Sequence, residues 1–119
     1  MEHRLDNKLV AVGALDILKD HVDSTYFFYD PEWKWLNLGV VGAIREIEYL
    51  RKFRKLSGMQ KWRWYVLGDL VISNPKVNYK LQYQPGYIPC PRTKTVVAWQ
   101  QVEPTLRVMM QTPMTEKTA

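Results

Sequence analysis

The stretch NPKVNYKLQYQPGY, Asn74 to Tyr87, concentrates lysine and tyrosine in a pattern that can do chemistry. Lys76, Tyr79, Lys80 and Tyr83 recur at spacings of three and four residues. On a helix they share one stripe, with Val77 and Leu81 on a second stripe that turns toward a core. An ammonium group supplies a point charge for phosphate, and a tyrosine supplies a stacking ring with a hydroxyl at its tip. Spacing alone assigns no role, but Lys76 and Lys80 are the candidates for phosphate, and Tyr79 and Tyr83 for stacking on a base or donating a proton. The plainer alternative places the tyrosines at the rim of a core and leaves the lysines solvated.

Asp30 and Glu46 are the acids to watch. A carboxylate can fork a guanidinium or take the proton of an amine. Asp30 precedes Pro31 at the end of an apolar run, where aspartate serves equally as a turn former. Glu46 lies in a charged helical stretch and is expected to be solvated. Beside it, Arg45 reaches a phosphate or a surface salt bridge. Cys90 stands between two prolines and reads as structural. With His3 and His21 it is too little for an ordinary Cys/His zinc site, so no metal is expected.

These residues need a scaffold, and the chain can build one. Its 119 residues suffice for one compact domain. With 46% hydrophobic residues, five tryptophans and seven tyrosines, a packed core is expected rather than disorder. The formal net charge of +5 suits a polyanionic partner, but on charge alone solvated lysines on an ordinary surface are the plainer reading. A single cysteine allows no internal disulfide and fits a reducing compartment. No apolar run approaches the roughly 18 residues of a membrane span, and MEHRLDNK has no signal-peptide core. A soluble, cytoplasmic protein is expected, with the nucleus as a second compartment and no membrane partner.

Lys8 to Leu18 and Asp23 to Asp30 read as strands joined by a hairpin loop. The turn signal DNK has only five residues before it. The chain is therefore expected to begin partway through a sheet and to leave Lys8 to Leu18 an unpaired edge. From Leu38 a helical period begins, with Val40, Ile44, Ile47, Leu50 and Phe53 on the apolar stripe and Ser57-Gly58 as its stop. Lys61 to Ser73 reads as a strand in which Gly68 marks a bulge or a close backbone approach. A helix capped by Asn74, with Pro75 at its first position, follows. QPGYIPCPRTK reads as turn and loop, Thr95 to Gln100 as a last strand, and residues 103–119 as a flexible tail. The expected class is α/β (α+β), a sheet with helices packed on it.

Four strings in collinear order, AVGALDIL, STYFFYDP, LNLGVVGAIREIEYL and YVLGDLVISNPKVNYKLQYQPGYIPCP, resemble the C-terminal domain of arginyl-tRNA–protein transferases. The resemblance covers roughly residues 8 to 100, so residues 1–102 are taken as the C-terminal part of that domain. It implies a partial GNAT-like acyltransferase sheet that needs no cofactor. It also implies transfer of arginine from arginyl-tRNA to the N-terminal amine of proteins beginning with Asp or Glu, a mark read by the ubiquitin system; bacterial relatives transfer leucine. WLNLGVVGA lacks the R/Q-x-x-G-x-G/A loop by which acetyltransferases of this fold hold coenzyme A, in keeping with a tRNA donor. The chain departs from the family at Asp69 and Leu70, where two aromatics are usual, at Asn74 for Cys, and at Val77 for Met. It also lacks the family's cysteine-rich N-terminal region and first half-domain, and so reads as a C-terminal portion. The alternative is a non-catalytic RNA- or protein-binding remnant of the same domain.

Overall fold

The computed structural model describes residues 1–57 and 62–111. The chain divides into two compact units, Met1–Gly68 and Asp69–Ala119. The division falls inside the span 1–102 expected as one domain.

In the first unit, β1 (Glu2–Leu5), β2 (Lys8–Ile17) and β3 (His21–Tyr29) form an antiparallel meander. Strand β4 (Trp64–Val66) joins β3 in parallel, completing a sheet of order β1-β2-β3-β4. Between β3 and β4 run a 3-10 helix, Pro31–Leu36, and the helix α1, Leu38–Ser57. The architecture is mixed α/β, as expected.

The expected bare edge on Lys8 to Leu18 is covered over its first part, Lys8 to Gly13. Asp6 and Asn7 both adopt positive φ, 47° and 66°, the backbone of a two-residue hairpin turn whose twist matches its strands. The few residues ahead of that turn suffice for a strand, and Glu2 to Leu5 pair with β2. The third expected strand is also shorter. It spans Trp64–Val66, and Gly68, at φ 68°, lies beyond its end rather than bulging it. Lys61 and the expected stop at Gly58 lie outside the described residues.

Helix α1 begins and ends as its period predicts, but the face it turns inward is rotated. Leu38, Gly42, Ala43, Glu46 and Leu50 are buried, whereas Ile44 is half exposed. The reason is steric. A Cβ on Gly42 would run into the Phe27 ring, and one on Gly13 would run into the Glu46 carboxylate. Small residues let the helix axis approach the sheet, and that approach decides which stripe is buried. Two clusters make the core. Val10, Ala11 and Leu38 pack with Phe27, Trp33 and Leu36. Val22, Leu50 and Trp62 pack with Leu15, Phe53 and Tyr65, the Phe53 and Trp62 rings stacking at 5.1 Å. The Lys8 ammonium lies 5.4 Å from the Trp33 ring centroid and 3.6 Å from Glu32, tying β2 to the 3-10 helix.

In the second unit, β5 (Tyr87–Pro89) pairs antiparallel with β6 (Val96–Ala98), and α2 spans Trp99–Gln111. The region read as loop thus contains a strand, and the last expected strand ends where α2 starts. Helix α2 also enters the stretch 103–119 expected as a tail. Pro104 stands within it, yet Trp99, Val102 and Leu106 keep a three-and-four spacing and are at least partly buried. The Arg107 guanidinium spans one turn to Glu103 at 2.6 Å. Residues 112–119 lie outside the described chain.

The rotated face gives a direct test. Leu50→Ala should cost about 2–5 kcal/mol of stability in urea denaturation, and Gly42→Ala about 1–3 kcal/mol through collision with Phe27. Ile44→Ala should change stability by about 0.5 kcal/mol or less. An Ile44→Ala cost equal to that of Leu50→Ala would show the face to be misassigned.

Candidate functional site

The carboxylate expected to be solvated is the most deeply buried large side chain of the first unit. Glu46 is 2% exposed, held by α1 against the inner face of the sheet. The Tyr65 hydroxyl of β4 donates to its Oε2 at 2.5 Å. Oε1, over Gly13 of β2, has no hydrogen-bond partner among the described residues. A lone charge-assisted hydrogen bond leaves a buried carboxylate able to accept another donor or a proton. The α1 stripe read from large apolar residues missed this position because Gly42, one turn earlier, carries no hydrophobic signal.

His3 is buried beside the same group. It is 3% exposed, meets Phe27 edge-on at 5.4 Å, and neither ring nitrogen has a partner among the described residues. Burial pushes its imidazole pKa below the ordinary value. The Arg45 guanidinium adds to this, while the Glu46 carboxylate opposes it. The imidazole is therefore neutral near pH 7. Read from the sequence, His3 has no role except to count against zinc. Taking the turn at Asp6-Asn7 as a hairpin would have brought His3 onto β2; a bulge between His3 and Arg4 then sets it opposite Ala11. Arg45 itself is exposed on α1.

Asp30 acts as the cap of the 3-10 helix. Its Oδ1 accepts from the Glu32 amide at 3.0 Å, and its own amide donates to the Val10 carbonyl at 2.9 Å. Of its two expected roles, turn forming is the one the hydrogen bonds display.

The Lys-Tyr stretch in the second unit is not the α-helix its spacing predicts. Asn74 does start a turn: its Oδ1 accepts from the Lys76 amide at 3.0 Å, and its carbonyl accepts from Asn78 at 2.9 Å. The chain then tightens into a 3-10 helix, Asn78–Gln82, with no buried residue. At about three residues per turn, residues three apart eclipse, and the two expected stripes do not form. Val77 and Leu81 are half-buried rather than core. Lys80 bends back, its Nζ donating to the Asp69 carbonyl at 2.7 Å. Lys76 remains exposed. Tyr79 and Tyr83 come together edge-to-face, 6.4 Å apart at 68°, with Tyr79 the more open. A ring pair with an exposed ammonium nearby in the chain retains stacking and phosphate-binding chemistry, on fewer groups than the stripe implied.

Cys90 sits in the turn that leads into β6, where its carbonyl accepts from the Lys94 amide at 2.8 Å. The Thr93 hydroxyl, with the Thr93 and Arg92 amides, lowers the pKa of its thiol. Among the described residues no helix is long and apolar enough to cross a membrane.

The family model described as "Arginine-tRNA-protein transferase, C terminus" matches residues 1–90. The chain is 41% identical over 92 residues to arginyl-tRNA–protein transferase 1 of Drosophila melanogaster, covering 77% of this chain and 19% of that one. It is 41% identical over 91 residues to arginyl-tRNA–protein transferase 1 of Dictyostelium discoideum, covering 76% and 14%. An aspartate/glutamate leucyltransferase of Acinetobacter baumannii is 35% identical over 80 residues, 67% of this chain and 27% of that one. The chain thus spans a fifth or less of the length of the first two relatives.

Two measurements probe the buried polar group. Because the folded-state pKa of His3 is lowered, the unfolded chain takes up that proton first as pH falls. The associated stability is complete above about pH 6.5 and is lost below it, toward the lower folded value. Melting temperature should therefore drop between pH 7 and 5, and His3→Gln should flatten that drop. Gly13→Ala should displace the Glu46 carboxylate at about 1–3 kcal/mol, and should cost less in a Glu46→Ala background. Additive effects in that double-mutant cycle would show that the two groups do not meet.

Proposed function

We propose a function from one premise: the chain belongs to the arginine-tRNA–protein transferase family. It serves as part of an aminoacyltransferase that moves arginine from arginyl-tRNA to the N-terminal amine of a protein beginning with Asp or Glu. The observation that carries this reading is the family match over residues 1–90, spanning the whole first unit and the Lys-Tyr stretch of the second. The acidic acceptor is favoured by the name of the bacterial relative, an aspartate/glutamate leucyltransferase. Action in the cytoplasm, marking acceptors for ubiquitin-dependent degradation, belongs to the same proposal.

The chemistry asks little covalent help of the protein. The donor is an ester, already activated. The acceptor α-amine, with a pKa of about 7.7–8.0, is partly neutral near pH 7. Its lone pair attacks the ester carbonyl, the tetrahedral oxyanion collapses, and the ribose oxygen leaves with a proton as the amide forms. What remains is positioning, oxyanion stabilisation and proton transfer. Tyr79 and Tyr83 offer ring surfaces for the unpaired end of the tRNA, and their hydroxyls are candidate proton donors. Lys76 and Arg45 offer exposed charge for phosphate. Lys80, tethered to the Asp69 carbonyl, contributes mainly by holding its loop. Glu46, with one carboxylate oxygen uncommitted among the described residues, is the carboxylate to take the proton of the acceptor amine or to fork the guanidinium of the donor's arginine.

The test is transfer of labelled arginine from charged tRNA to a peptide beginning with Asp, against the same peptide N-acetylated. Transfer that the acetyl group abolishes supports the proposal. Binding of tRNA without turnover would instead favour the non-catalytic remnant. In either case tRNA affinity should fall steeply with salt, and Lys76→Ala should reduce the slope of log K against log salt by about one. Tyr79→Ala should cost about 1–3 kcal/mol of that affinity. A salt-independent affinity would rule out phosphate contacts.

A further inference from the structure

Helix α1 covers one face of the four-stranded sheet, and the opposite face carries side chains that water does not favour. Phe27 points toward Gly42 of α1, so its neighbours Tyr26 and Phe28 point away. They are 71% and 61% exposed. Their cross-strand partners on β2 are Ala14 and Val12. On β4, Tyr65 turns inward to Glu46, so Trp64 and Val66 flank it on the outer face. An antiparallel sheet face left to solvent ordinarily reads polar. Here Val12, Ala14, Tyr26 and Phe28 make a contiguous apolar patch of the kind that marks an interaction surface, with Val66 and Trp64 set apart from it beside Asp23 and His21.

One end of that patch is charged. Asp23 follows the buried Val22 and so points outward, where it lies directly opposite Asp16. Like charges directly opposed across an antiparallel pair destabilise it. The Asp23 Oδ1 is also buried without a hydrogen-bond partner among the described residues. A lysine or arginine from elsewhere would answer both defects, whereas phosphate would be repelled there.

We infer that this outer face is the docking surface for a polypeptide of the kind that makes up the rest of the relatives. The occupant is an element with an apolar face for Tyr26 and Phe28 and a basic side chain for the Asp16–Asp23 pair. The length of the relatives supports that choice, since four-fifths of the Drosophila chain lies outside the matched segment. The inference rests on family membership and not on transferase activity.

The probe is the Drosophila relative lacking its 92 matched residues, mixed with this chain and followed by hydrogen exchange and by titration. Amides of residues 22–29 should gain protection. Tyr26→Ser with Phe28→Ser should leave the melting of the isolated chain nearly unchanged and weaken the complex by about tenfold or more. Asp23→Asn should stabilise the isolated chain by relieving the like-charge pair, yet weaken the complex and lessen its salt dependence. A second format places this chain within the Drosophila relative in place of the matched segment. There the Tyr26/Phe28 double variant should lower the melting temperature, as it does not in isolation. No complex in the first format with no destabilisation in the second would overturn the proposal. So would a dimer of this chain that the Tyr26/Phe28 variant abolishes, because the occupant would then be a second copy.

Discussion

The close approach of α1 to the sheet is the constraint from which the first unit follows. At Gly42 the helix backbone comes so near the Phe27 ring that no Cβ fits, and at Gly13 the sheet backbone makes room for the Glu46 carboxylate. Dense packing of this kind forces the remaining side chains into register. Leu38 and Leu50 fall into the two clusters on either side of the contact, and Ile44 is turned to solvent. The same geometry carries a carboxylate and an imidazole into the core, where water would otherwise have solvated them.

Burial leaves the Glu46 carboxylate only partly compensated. A carboxylate loses several kcal/mol of hydration on entering a protein interior, and one hydrogen bond from Tyr65 returns only part of it. The neutral His3 nearby supplies no compensating positive charge. A purely structural site would have been simpler with an apolar side chain. That imbalance makes Glu46 the chemically distinctive residue of the first unit.

The sequence made the long elements legible and hid the close contacts. The bounds of α1 and most of β2 and β3 follow from apolar periodicity and turn residues. The hairpin at Asp6-Asn7 was missed because a strand as short as Glu2–Leu5 carries almost no periodic signal. Leu50 and Phe53 of the expected stripe do pack in the core, but Gly42, Ala43 and Glu46 were missed, because glycine and alanine count for little in a hydrophobic stripe while deciding how near a helix can lie. Between Asn74 and Tyr83, the capping residue and the spacing agreed on an α-helix. The chain instead takes a turn and a 3-10 segment, with the Lys80 ammonium tied to the Asp69 carbonyl. Among the candidate site residues, Asp30 and Lys80 turn out to hold backbone groups, while Tyr79 and Lys76 keep exposed surface. Spacing alone cannot separate these uses, because a cap, a tether and a ligand contact draw on the same side chains.

The parallel pairing of β4 with β3 has a kinetic side. Strands β1 to β3 meet through short turns, whereas His21 must find Trp64 across the full length of the 3-10 helix and α1. Closing that long loop carries the larger entropic cost, and contacts of high sequence separation form slowly. The meander and its helix therefore assemble before the fourth strand adds. Tyr65 travels with that strand, so the Glu46 carboxylate gains its hydrogen bond only as the sheet is completed. Until then it remains hydrated, and its dehydration is coupled to the final, cooperative closing of the unit.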